Sequence, residues 1–169
     1  MRLPTAWRSL LVSGLLCASS ATAKKDKPSV HLTNFPFWPR NVNYFDDSDV
    51  LLFEDANDHV VFRSTDAGVS WDKVSDVPSG KLVEMIMHPY DNKKAYIITN
   101  EQSHWRTKNR GETWEEFNTN GFASAFRDAL TFHAGDPDKI IFNGMECTGI
   151  FCEELVRSIV QFGVLLMYG

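Results

Sequence analysis

Two stretches of this sequence repeat each other 43 residues apart, and no other feature narrows its possible folds as far. Phe62-Arg63-Ser64-Thr65-Asp66-Ala67-Gly68-Val69-Ser70-Trp71 is matched by Trp105-Arg106-Thr107-Lys108-Asn109-Arg110-Gly111-Glu112-Thr113-Trp114. A second set of anchors returns after 45 residues: His88-Pro89-Tyr90-Asp91 is echoed by His133-Ala134-Gly135-Asp136, and Lys94 by Lys139. A self-similar period of about 45 residues is that of propeller blades, each a small sheet that cannot bury its apolar faces alone.

Between the anchors, short β-branched, aromatic and aliphatic runs alternate with turn residues. Strands are expected at 50–53, 60–63, 82–87, 95–99, 104–107, 114–117, 129–133 and 140–143. No sustained helical periodicity occurs from residue 24 to 154, apart from a turn near 124–127. The expected class is all-β, and the period selects a propeller over a sandwich or barrel.

The repeated pattern, Ser/Thr-x-Asp/Asn-x-Gly-x-Ser/Thr-Trp, is an Asp box of the BNR-like type. Its chemistry is that of a hairpin turn. Ser64 and Asp66 offer oxygens to turn amides that no strand satisfies. Gly68 supplies a positive φ without a Cβ penalty. Ser70 completes the pattern, and Trp71 folds its ring back between the strands. In the second copy Thr107 keeps the hydroxyl, while Asn109 keeps the carbonyl oxygen and loses the charge. Gly111, Thr113 and Trp114 follow in the same order. Such a motif stabilises a turn; it is read here as structural, not catalytic.

Composition excludes several classes. The chain has 169 residues, 43% hydrophobic, with a formal net charge of -5. That balance gives no bulk attraction to nucleic acid or anionic membrane. Residues 1–23 read as a secretory signal peptide. Arg2 and Arg8 form a positive n-region, 10–18 an apolar stretch too short to span a membrane, and Ala21-Thr22-Ala23 a small-residue cleavage site. Cys17 leaves with that segment. Cys147 and Cys152 remain, and in an oxidising compartment they can close a local bridge or pair with cysteines outside this chain. There is no Asn-x-Ser/Thr glycosylation acceptor.

Other residues invite catalytic or metal readings. His88 and His133 recur at matched places and suggest a metal pair, but matched places in separate blades need not meet, so hydrogen-bonded structural histidines are preferred. Asp46, Asp47 and Asp49 cluster with Glu54, Asp55 and Asp58. They lack the glycine-centred spacing of an EF-hand, and a solvated acidic edge is expected. Paired carboxylates can also hydrolyse glycosides, which requires a defined separation. No Gly-x-Ser-x-Gly elbow, phosphate loop or His-Glu-x-x-His motif occurs, and no cofactor or metal is expected. The aromatic stretch Asn34-Phe35-Pro36-Phe37-Trp38-Pro39-Arg40 is expected to be an extended lead-in, over 24–40, that packs its rings on the first blade.

Several segments together resemble the sortilin family, in its fungal vacuolar protein-sorting receptor (carboxypeptidase Y receptor) form. They are Tyr44-Phe45-Asp46-Asp47-Ser48-Asp49-Val50, the first Asp box, Met85-Ile86-Met87-His88-Pro89, and Ile141-Phe142-Asn143-Gly144-Met145-Glu146-Cys147. The resemblance covers roughly 30–154 and implies a ten-bladed propeller. Residues 41–154 would then supply its first two to three blades. It also implies a membrane receptor of the Golgi and endosome lumen. Such a receptor binds soluble vacuolar hydrolases such as carboxypeptidase Y and delivers them to the endosome and vacuole, without catalysis. Ligand residues are not assigned by it.

Residues 155–169 depart from the family pattern. They are apolar, with one charge and no turn signature, and are expected to be an atypical tail read from a retained intron or a wrong frame; the alternative is a genuine strand or amphipathic helix. A few blades cut from a ring leave apolar faces and strand edges open, so the piece is expected to be marginally stable and to have lost cargo binding. Two rival functions remain. One is a secreted Asp-box glycoside hydrolase, sialidase- or xyloglucanase-like, although the arginine cluster of a sialidase is missing. The other is a secreted, non-catalytic decoy.

Overall fold

The computed structural model describes residues 30, 32, 34–35, 38–148, 151–154 and 158–161. The chain divides into Met1–Val30 and His31–Gly169, and the description below concerns the second unit. The described residues are all-β and form an open piece of a propeller.

The first sheet holds β1 (Pro39–Tyr44), β2 (Leu51–Asp55), β3 (Val60–Ser64) and β4 (Asp72–Lys73), in that order. The second repeats the arrangement with β5 (Leu82–Met87), β6 (Ala95–Thr99), β7 (Ser103–Thr107) and β8 (Glu115–Asn118). All neighbours are antiparallel, so each sheet is an up-and-down meander that short turns can join. β9 (Phe122–Ala123) leads into β10 (Leu130–Phe132) and β11 (Lys139–Phe142). A hairpin of β12 (Gly144–Thr148) and β13 (Phe151–Glu154) pairs with β9. β14 (Ser158–Gln161) then returns to β11, completing a third sheet in the order β10-β11-β14.

The sheets pack through two apolar seams. Phe45, Leu52, Val61 and Val74 of the first meet Ala95, Ile97, Trp105 and Trp114 of the second. On the opposite face of the second sheet, Tyr96, Ile98 and Phe117 meet Leu130, Ile140 and Phe142 of the third. β6 therefore feeds alternate side chains into both seams and is buried along its whole length. That is why Ala95-Tyr96-Ile97-Ile98 reads as a continuous apolar run and not as an alternating one. Each fully buried large side chain contributes about 1.5–3 kcal/mol of transfer free energy.

The observed strands β5 and β6 coincide with the expected ones, and the other expected strands shift by one or two residues at their ends. β1 begins at Pro39, inside the expected lead-in, with a proline as its first residue. β4 and β9, two residues each, carry no propensity signal. The 155–169 segment, expected to be atypical, supplies β14. The expected signal peptide, together with Cys17, Pro36 and Phe37, lies outside the described residues.

Candidate functional site

The two repeated turns are built alike. In the first, the Ser64 hydroxyl accepts from the Gly68 amide at 2.9 Å and donates to Asp66 Oδ1 at 2.7 Å. Asp66 accepts the Ser70 amide at 2.9 Å and the Ser70 hydroxyl at 2.6 Å. In the second, Thr107 Oγ1 accepts the Gly111 amide at 2.9 Å and donates to Asn109 Oδ1 at 2.9 Å. Asn109 Oδ1 accepts the Thr113 amide at 3.0 Å, and Asn109 Nδ2 donates to Thr113 Oγ1 at 2.9 Å. The direction of that last bond reverses between copies, because an amide carries its own donor. Each turn passes through two successive left-handed residues, Ala67 then Gly68 and Arg110 then Gly111. At Gly111 the requirement is doubled: φ is +74°, and a Cβ would stand 3.0 Å from Leu52 Cδ2.

The tryptophans differ. The half-buried Trp71 donates from Nε1 to the Gly68 carbonyl at 3.0 Å and sets its ring 4.5 Å from Phe53. Trp114 is buried in the first seam, and its Nε1 has no acceptor among the described residues. Its backbone amide donates to Asp76, in the bend that follows the first sheet, at 3.2 Å, while Arg63 Nε of β3 donates to the Arg110 carbonyl at 2.9 Å. The first sheet and the bend after it thus brace the second turn from both ends.

The hydrogen bonds from Ser70, then the one from Ser64, hold the Asp66 carboxyl down at about 2. A carboxylate so occupied has no proton to give near neutral pH and few lone pairs left to take one. His88 and His133 are each engaged with a backbone amide of their own turn. The buried His88 accepts the Tyr90 amide on Nδ1 at 3.0 Å and packs 4.7 Å from Phe132; burial, with Lys94 adding to it, lowers its pKa. The exposed His133 accepts the Gly135 amide at 3.1 Å. No group of three or more metal-ligating side chains occurs among the described residues.

The acidic stretch departs from the expectation of a solvated edge. Asp46, Asp47, Asp49 and Asp58 are exposed, but Glu54 and Asp55 are buried, at 0% and 2% exposure. Glu54 is held by an ion pair from Arg40 Nη2, with Arg40 Nε at 3.3 Å, Asn41 Nδ2 at 3.4 Å and His59 Nδ1 at 3.4 Å. Asp55 closes the β2–β3 turn by accepting the Asn57 amide at 3.1 Å. A buried carboxylate needs such partners, and here they tie β1 to β2. Between the turns at 44–47 and 87–94 lies a cleft of about 630 Å³, with Tyr44, Asp46, Asp47, Tyr90 and Lys93 on its walls. Asn92 Nδ2 crosses it to donate to the Asp46 carbonyl at 3.0 Å.

The Sortilin-Vps10 family, described as sortilin, neurotensin receptor 3, matches residues 59–160, more than half of the sequence. The chain belongs to the sortilin family. Relatives named vacuolar protein sorting/targeting protein 10 agree with that. One from Verticillium alfalfae is 48% identical over 150 residues, covering 88% of this chain and 10% of the relative. One from Fusarium vanettenii is 44% identical over 149 residues, covering 88% and 10%. A third, from Colletotrichum graminicola, is 40% identical over 149 residues, covering 87% and 10%. The chain therefore spans about a tenth of the length of these relatives.

Within this sortilin-family piece, sequence reasoning passed over two buried polar groups. His104 is fully buried. Its Nδ1 accepts the Thr99 amide at 3.2 Å, so Nε2 carries the proton and donates to Thr119 Oγ1 at 3.1 Å; Thr119 in turn donates to the Gly121 carbonyl at 2.9 Å. Burial depresses its pKa from 6.5 to about 4. Lys94 reaches from the second sheet to the third, with Nζ 2.9 Å from Asp138 and 3.3 Å from the Pro137 carbonyl. The matching Lys94–Lys139 anchor was the signal for Lys94; His104, inside a strand, gave none. Cys147 is disulfide-bonded and stands opposite Cys152 in the β12–β13 pairing.

Proposed function

We propose that this chain is the N-terminal luminal part of a sorting receptor. The receptor binds soluble vacuolar hydrolases such as carboxypeptidase Y in the Golgi and delivers them to the endosome and vacuole. The match to the sortilin family, with relatives named for vacuolar protein sorting and targeting, carries this reading. The part it plays is binding, not catalysis. In line with that, the two repeated turns serve as Asp boxes whose side chains are spent on their own backbone. Residues 1–23 direct the chain into the secretory route. Cys147 bridges to Cys152, which its cross-strand position favours. No helix among the described residues is long and apolar enough to cross a membrane. The test is genetic. Source cells with the coding sequence disrupted should release carboxypeptidase Y-type hydrolases into the medium. Complete retention of those hydrolases would overturn the assignment.

A further inference from the structure

The sequence holds two Asn-Gly pairs, Asn120-Gly121 and Asn143-Gly144, and the fold treats them oppositely. Asparagine followed by glycine is chemically labile, because no side chain shields the next amide nitrogen from the carboxamide and glycine lets the backbone bring the two together. Asn143 is held against that reaction. Its Nδ2 donates to the Asp128 carbonyl at 2.7 Å and to Thr131 Oγ1 at 3.2 Å. Its backbone amide donates to the Ala129 carbonyl, and its own carbonyl accepts the Ser124 amide, each at 2.9 Å. Gly144 is fixed in the β12 pairing, opposite Ala123. Asn120 instead lies exposed in the bend between β8 and β9. Among the described residues none bonds to its carboxamide, and none accepts the Gly121 amide.

The same bend carries a buried network. Thr119 donates its hydroxyl proton across Asn120 to the Gly121 carbonyl at 2.9 Å, and that hydroxyl accepts Nε2 of the fully buried His104 at 3.1 Å. We propose that Asn120 is a site of spontaneous deamidation and isomerisation, and that isoaspartate at this position releases the buried His104–Thr119 network. The Gly121 nitrogen, its proton passed to water, attacks Asn120 Cγ; a C–N bond forms and the carboxamide nitrogen leaves as ammonia. Water then opens the cyclic imide at either carbonyl, giving aspartate or isoaspartate. In isoaspartate the main chain runs through Cβ and Cγ and is one carbon longer. The Gly121 carbonyl is thereby moved off Thr119, whose hydroxyl keeps only the longer contact to the Gln102 carbonyl at 3.3 Å. An exposed, solvent-driven change in one bend is in this way transmitted to the seam between the second and third sheets, where His104 packs on Phe117 and Phe142.

The test is incubation of the purified chain at neutral pH in water enriched in heavy oxygen, followed by peptide mapping with fragmentation that separates isoaspartate from aspartate. In the folded chain Asn120 should take up the label about tenfold or more faster than Asn143, which must first break two side-chain hydrogen bonds and open its strand pairing. In urea the two rates should converge, because the protecting bonds are gone. The isoaspartate form, separated from unreacted chain by its added charge, should unfold at a lower urea concentration than fresh chain. Freshly made Asn120→Asp adds the charge without lengthening the backbone and should keep the original midpoint. Asn120→Gln, which does not readily close the five-membered ring, should lose no stability on incubation. Equal labelling of Asn120 and Asn143 in the folded chain would overturn the proposal. So would an isoaspartate form with the midpoint of fresh chain, or an Asn120→Gln chain that ages as the unsubstituted one does.

Discussion

Replacing His104 by valine separates burial from protonation. Valine is what the first repeat carries at the equivalent position, Val61. With a native pKa of about 4 against 6.5, the unfolded chain takes up a proton between these values that the folded chain refuses. Stability is therefore unaffected above pH 6.5, falls as the pH drops, and reaches its full loss near pH 4. The shift of about 2.5 units corresponds to roughly 3 kcal/mol. At pH 7 the variant should be the less stable of the two by about 1–3 kcal/mol, because the buried Thr99 amide loses its acceptor. As the pH is lowered that gap should close and then invert, since the variant has nothing to titrate at this position. His88, whose pKa is also lowered, contributes equally to both chains and cancels in the difference. Urea unfolding of both chains from pH 7 to pH 4 reads the effect directly. Parallel pH dependences, with a constant gap, would refute the argument.

Three further outcomes are expected. Gly111→Ala should destabilise more than Gly68→Ala: both force a left-handed alanine, at about 1–2 kcal/mol, but only Gly111 also meets Leu52 at 3.0 Å. Equal urea midpoints for the two variants would contradict this. The Asp66 carboxyl should titrate near 2 when followed by NMR through the Ser70 amide, its stabilising effect being complete above 3.8 and lost as the pH falls toward 2. An ordinary carboxylate value would mean that the turn is not closed by these bonds. Non-reducing peptide mapping should recover Cys147 linked to Cys152, and alkylation of Cys147 without prior reduction would exclude the bridge.

What was legible in the sequence is what short-range chemistry decides. β5 and β6 could be read because Gly80, Pro89 and Asn100 bound short runs rich in aliphatic and aromatic residues, and the turns because their oxygens bond amides two to four residues away. The rest depends on partners far along the chain. Glu54 looks like one more acid on an acidic edge until Arg40, fourteen residues earlier, folds over it. His104 needs Thr119, fifteen residues on, to be tolerable inside a seam. β1 is polar and begins with proline, and only its pairing with β2 makes it a strand. β14 carries no turn signal of its own and takes its place from the free edge of β11.

The bracing of the second turn by Arg63 and Asp76 gives the molecule a direction in time. Both braces come from residues that leave the ribosome before the turn they hold. A first sheet already formed is then a template on which the second closes as it emerges, while the reverse order would leave the second turn waiting for its supports. Assembly along this row runs with translation, and a lesion at Arg63 or Asp76 should register not in the first sheet but in the next one made.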